Sequence, residues 1–130
     1  MQHDEFVGHV QNRARLASRG EALRAIRATL ETLGERLAGG EAEDLAAQPP
    51  LANGDYLREV ESDGSFSLDT FFDRVAEREG TDLPVAVHHA RAVVAVLQEA
   101  VSAGEMEDVR AQLPEEYNPL FESGSEGSLA

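Results

Sequence analysis

An eleven-residue stretch occurs twice in this chain. Residues 40–50 read Gly-Glu-Ala-Glu-Asp-Leu-Ala-Ala-Gln-Pro-Pro, and residues 104–114 read Gly-Glu-Met-Glu-Asp-Val-Arg-Ala-Gln-Leu-Pro. The two glycines, the acids, the glutamines and the last prolines coincide, and Leu45 is answered by Val109. Agreement of that length within 130 residues points to an internal duplication. A duplication constrains the fold strongly. One unit has too few apolar residues to close a core alone, and two are too few for an open stack of repeats. They are expected to close face to face about a pseudo-two-fold axis.

The rest of the chain fits that frame. Phe6, Val7, Val10 and Ala14 form a stripe at helical period, which predicts a first helix over Asp4 to Leu16. Ser18 and Glu21 have capping-box spacing. Leu23, Ile26, Leu30, Leu33 and Leu37 then give an unbroken seam on a long helix that Gly39 and Gly40 are expected to stop. A short acidic helix follows, ended by Pro49 and Pro50, with a weaker helical turn over Leu51 to Val60 that Asn53-Gly54 interrupts. After a polar joint at Ser62 to Ser65 the pattern restarts. Phe71, Phe72 and Val75 repeat Phe6, Val7 and Val10. Val87, Ala90, Val94, Leu97 and Val101 repeat the long seam. Ser67 and Asp82 are expected caps, Gly80 an expected stop, and Pro84 falls in a first helical turn. Val93 and Val96 add a second apolar strip, so this long helix is expected to be the more buried of the two.

The expected fold is therefore all-α. It is a compact multi-helix bundle of two tandem helix–long helix–short helix units, in one domain over residues 1–121. The first unit covers about 3–60 and the second about 67–121, with a disordered acidic Gly/Ser tail at 122–130.

Charge narrows the partners. Twenty-five acids face eleven bases, a net charge of −14, and every base is arginine. Nucleic-acid binding needs a concentrated basic surface, and no window provides one. An anionic membrane is excluded on the same ground, and no apolar run approaches the roughly 20 residues of a membrane span. There is no cysteine, so thiolate metal sites and disulfides are excluded. No leader is visible at the N-terminus, and a cytoplasmic location is expected. The acid-rich, lysine-free composition resembles that of proteins from salt-accumulating microbes, where about 1 M salt shrinks the Debye length to roughly 3 Å and screens self-repulsion. Helical circular dichroism is expected to fall when molar salt is exchanged for millimolar buffer. An unchanged spectrum would contradict a salt-adapted fold.

Several of these residues together carry a family resemblance. The Asp-x-Phe openings at Asp4–Phe6 and Asp69–Phe71, the long helix, the Gly-Glu-x-Glu-Asp-Leu/Val-x-Ala-Gln element and the Leu-Pro-x-x-Tyr at Leu113–Tyr117 resemble the microbial family catalogued as domain of unknown function 2267. The resemblance covers about residues 2–121, with a departure at Pro49–Leu51. It implies an all-helical domain of bacteria and salt-loving archaea, and brings no catalytic residues to carry over.

Four acids are candidate metal ligands: Glu41 and Asp44, with their repeats Glu105 and Asp108. In each pair the spacing of three puts both carboxylates on one helical face, as Mg²⁺ or Ca²⁺ binding would need. The competing reading is structural, since acids in a first helical turn oppose the macrodipole and serve its orphan amides. Gln48 and Gln112 can bond their own helix ends or reach across to the other unit. His88 and His89 point about 100° apart and cannot readily share a metal. Phe6/Val7 and Phe71/Phe72, being consecutive, either place both members in the core, which is the favoured reading, or leave one at the rim for a partner. With no catalytic set and no cofactor expected, the function expected is a non-enzymatic protein-interaction or self-association module in a stress-related setting. The alternative is a small-ligand or divalent-metal-binding protein that uses the duplicated acidic helix starts.

Overall fold

The computed structural model describes residues 1–38, 40–51 and 55–122. These residues form eight α-helices and two 3₁₀ turns, with no strand among them. The helices are α1 (His3–Arg13), α2 (Arg19–Arg36), α3 (Glu41–Ala46), α4 (Asp55–Arg58), α5 (Leu68–Glu79), α6 (Leu83–Ala100), α7 (Ala103–Ala111) and α8 (Asn118–Phe121). The 3₁₀ turns are Pro49–Leu51 and Glu115–Tyr117, so the order α-α-α-3₁₀-α occurs twice. The Asn53-Gly54 interruption and the tail from 123 onward lie outside the described residues.

Local chemistry sets most of the helix ends. Ser18 Oγ accepts the Glu21 N–H at 3.2 Å, and the Glu21 carboxylate accepts the N–H groups of Ala17 and Ser18, so the capping box opens α2 as expected. Ser67 Oγ accepts the Thr70 N–H at the start of α5, and Gly80 ends that helix at φ 73°, a conformation glycine adopts without a Cβ clash. Asp82 sits at the N-cap of α6 but its side chain makes no capping bond, while Pro84 occupies the first turn. The prolines at 49 and 50 do not simply end α3. It stops at Ala46, and they form the following 3₁₀ turn.

Two helix ends differ from expectation. α2 stops at Arg36, ahead of the glycines, and Leu37 is extended at ψ 146°. Gly40 has φ −94° and is not a left-handed cap. At this end Leu37 is buried, and the Arg36 guanidinium donates to the Phe66 carbonyl at 2.9 Å; Gly39 lies outside the described residues. The other long helix ends the same way, with Val101 extended and buried. α1 also ends early, at Arg13. Leu16 N–H bonds the Gln11 carbonyl at 2.9 Å and Arg15 takes φ 57°, which is a Schellman-type end with arginine where glycine is usual. Arg15 is exposed, so removing its strained side chain should lose no packing. Arg15→Gly is expected to stabilise the fold by about 1 kcal/mol, seen as a raised urea midpoint.

α2 is the centre of the bundle. It packs against α1, α4, α5 and α6, and ten of its positions are buried against eight of α6. α6 is therefore not the more buried helix. Its first turn leaves Leu83 and Val85 exposed, whereas α2 buries even Thr29, Thr32 and Arg36 because a neighbour covers nearly every face. The expected seams are otherwise internal, with Leu23 and Val87 only partly covered. Phe6, Val7, Phe71 and Phe72 are all buried. The rim aromatics that consecutive placement allowed for are therefore absent, because α1 and α5 are each flanked on two sides, by α2 and α6.

Candidate functional site

The duplicated stretch forms α3 and α7, and the two helices pack on each other. Two glutamines brace the contact. Gln112, just past α7, accepts the Ala38 N–H on Oε1 at 2.8 Å, and Gln48, just past α3, accepts the Ser102 N–H on Oε1 at 3.4 Å. Of the two roles open to them, both glutamines reach across to the other half of the chain instead of bonding their own helix ends.

The brace brings acids together. One oxygen each from Glu41, Glu105 and Asp108 lies within 4.8 Å of the others. Asp44 is outside that group, although its charge still acts on Glu105. Glu41 and Glu105 are half-buried, while Asp44 and Asp108 are exposed. Glu41 Oε2 and Glu105 Oε2 are shielded from solvent without a hydrogen-bond donor. Glu41, Asp44 and Glu105 stand in first turns, where acids oppose the macrodipole, while the Glu105 N–H itself is taken by Ser102 Oγ at 3.2 Å and α3 has no side-chain cap. Of the other acids, Glu43 turns to Arg58 at 2.8 Å and Glu107 is exposed.

Two facing carboxylates cannot both ionise cheaply. Burial, a hydrogen bond to Glu41, and repulsion from Glu41, Asp44 and Asp108 together push the Glu105 carboxyl up to about 7. The donor-less oxygens and the raised Glu105 carboxyl both mark the cost of gathering these negative groups. A divalent cation would neutralise the cluster, but three carboxylates with one exposed give it only part of the six or more oxygens a hard cation takes.

The other charged features are satisfied internally. Arg78 forks onto Glu35 at 2.8 and 2.7 Å, and Arg74 bridges Glu35 and Asp63. Hydrogen bonds from Arg78 and Arg74 hold the Glu35 carboxyl below its usual range against the opposing effect of burial. These residues and Glu77 line an open cleft of about 280 Å³. Its arginines and acids neutralise one another, which leaves little charge for a ligand. The sequence did carry a signal for this ladder: Glu31 and Glu35 on α2, and Arg74 and Arg78 on α5, are each spaced four apart. The histidines are scattered. His88 meets the Ala14 carbonyl at 3.3 Å, His3 the Pro50 carbonyl at 3.2 Å, and His89 pairs with the buried Glu79. Nothing in the sequence marked Glu79 as internal, since it sits among acids and arginines at the end of its helix.

Comparison with known families decides the relationship. Residues 3–120 match the sequence model of the family described as "Uncharacterized conserved protein (DUF2267)". The chain belongs to this family. The match spans both occurrences of the acidic stretch, including the Pro49–Leu51 departure. No curated protein matches the chain. The DUF2267 chain has no helix long and apolar enough to cross a membrane among its described residues.

Proposed function

We propose that the chain is a non-enzymatic helical interaction module whose two units are related by a pseudo-two-fold axis. The repeated element order supports the axis. So do the reciprocal bonds of Gln48 and Gln112, because Ala38 and Ser102, like the glutamines, are 64 residues apart (102 − 38 and 112 − 48).

The observation that carries the interaction reading is the start of α6. Leu83 is 46% and Val85 39% exposed, on either side of Pro84, on a helix whose other apolar residues are buried or, as at Val87 and Ala100, partly so. Charge complementarity selects the partner's chemistry. The chain carries −14 overall, and many of its arginines are paired with acids or laid over rings, so its outward field is negative. That field repels a second copy and steers a basic protein segment with apolar anchors toward the surface.

Titration calorimetry with a helical Lys/Leu-patterned peptide tests the reading. Binding that weakens about tenfold in the Leu83→Ser plus Val85→Ser double variant is expected. Equal binding by the variant would remove this surface from the proposal. A wild-type dimer in sedimentation, lost in the variant, would make a second copy the occupant instead.

A further inference from the structure

We propose that the turn after α1 is a binding site for a short-chain carboxylate, centred on the Arg15 guanidinium. The site is an open cleft of about 230 Å³ lined by Gly8, Gln11, Asn12, Arg15 and Leu16. Positions 8, 11, 12 and 15 stand at i, i+3, i+4 and i+7, on the side turned away from the buried stripe of Phe6, Val7, Val10 and Ala14. The volume lies below the roughly 300–1,000 Å³ of sites for drug-sized molecules, which limits the cleft to a small ligand. It shares no residue with the Leu83–Val85 surface.

Two features of Arg15 point to a ligand. The first is its backbone. At φ 57° it holds a left-handed conformation that glycine would take without strain. The turn is locked around it. Its own N–H bonds the Asn12 carbonyl at 3.2 Å, the Leu16 N–H bonds the Gln11 carbonyl at 2.9 Å, and Gln11 Nε2 donates to the Leu16 carbonyl at 3.4 Å. His88 Nε2, from α6, meets the Ala14 carbonyl at 3.3 Å. Strain held in place by surrounding bonds gathers at ligand clamps, and what arginine adds over glycine here is a cation on the wall of the cleft. The second feature is charge. Among the described residues the Arg15 guanidinium has no ion pair, hydrogen bond or ring contact, whereas its neighbours Arg13 and Arg19 are taken by Glu99 and Asp4 at 2.6 and 2.8 Å. No acid lines the cleft, in a chain of net charge −14.

The donors select the ligand. A guanidinium fork matches the two oxygens of a carboxylate. Asn12 offers its carboxamide N–H groups, and Gln11 offers the one that its bond to Leu16 leaves over. Leu16 is half-buried and makes one wall apolar. Contact with that wall favours an alkyl carboxylate over bare phosphate. The negative field of the whole chain opposes any approaching anion, so the expected Kd is only about 1 mM.

Butyrate titrated into the nitrogen-15-labelled full chain at constant ionic strength tests the site. Saturable NMR shifts are expected in the side-chain amides of Gln11 and Asn12 and in the Arg15 Nε–H, half-complete at about 1 mM. Arg15→Gly should weaken binding by about tenfold or more while raising the urea midpoint. Gly8→Leu should weaken it as much by filling the cleft, and a Cβ there meets nothing within 4 Å, so the helix tolerates it. Arg24→Gln, which removes another exposed arginine, should bind as the wild type does. A free acid and a chain end offer the same group. A peptide that binds more tightly than butyrate, and only when its C-terminus is not amidated, would make the ligand a chain end; the reverse order would make it a free acid. The absence of saturable wild-type shifts up to ~50 mM butyrate would overturn the site, as would equal binding by Arg15→Gly. Inorganic phosphate binding as tightly as butyrate would overturn the carboxylate assignment.

Discussion

Phe71→Ala is expected to destabilise the fold by about 3–5 kcal/mol, the range for deleting a fully buried phenyl ring. Phe71 is completely enclosed. Its ring meets Phe72 and Tyr117 edge to face, at 6.0 and 5.9 Å between centroids, a geometry worth more than the area it buries. Tyr117 in turn donates its hydroxyl to the Phe66 carbonyl at 2.7 Å and lies under Arg36 at 5.1 Å. The cavity would therefore open where α2, α5 and the closing 3₁₀ turn are joined, and bonds on every side oppose its collapse. Urea unfolding with an unchanged m-value should report the loss as a lower midpoint. A loss below about 1 kcal/mol would mean that this corner repacks freely, and the cluster could not then be holding α5 to α2.

Phe71 was legible as core from its spacing, and the reason shows how far the sequence reaches. A helical period records which side of a segment avoids water, so the two long seams, the Ser18 box, the Ser67 cap and the Gly80 stop could be read directly. A period does not say which helix lies opposite. The facing of α3 and α7 depends on packing between segments more than 60 residues apart, so Glu41 and Glu105 looked like separate helix starts when they are one contact. The same gap hid the Glu79–His89 pair and the bond from Arg36 at the end of α2 to the Phe66 carbonyl. Arg15 was illegible for a local reason: its left-handed position calls for glycine or asparagine, and the sequence has neither there.

Gly34 is a sharper case, because two glycines with the same local sequence role should respond to alanine with opposite signs. Gly8 and Gly34 both lie inside helices, α1 and α2, where alanine is favoured over glycine by about 0.8–1.0 kcal/mol. A Cβ on Gly8 would meet nothing within 4 Å, so Gly8→Ala should raise stability by roughly that amount. A Cβ on Gly34 would stand 2.7 Å from the Leu57 carbonyl oxygen, 2.7 Å from the Val60 methyl and 3.2 Å from the Leu57 Cα. Two of those three atoms are backbone and cannot rotate away. α4 must then lift off α2 or α2 must bend, and overpacking of this kind costs about 1–3 kcal/mol. Leu57 is buried, so lifting α4 would also weaken its contact with the core. The net expectation for Gly34→Ala is a loss of about 1–2 kcal/mol despite the better helix former. Urea melts of the two single variants side by side test it. A gain at both sites would show that α4 rides loosely on α2, whereas opposite signs would establish Gly34 as the point of closest approach between α4 and the central helix.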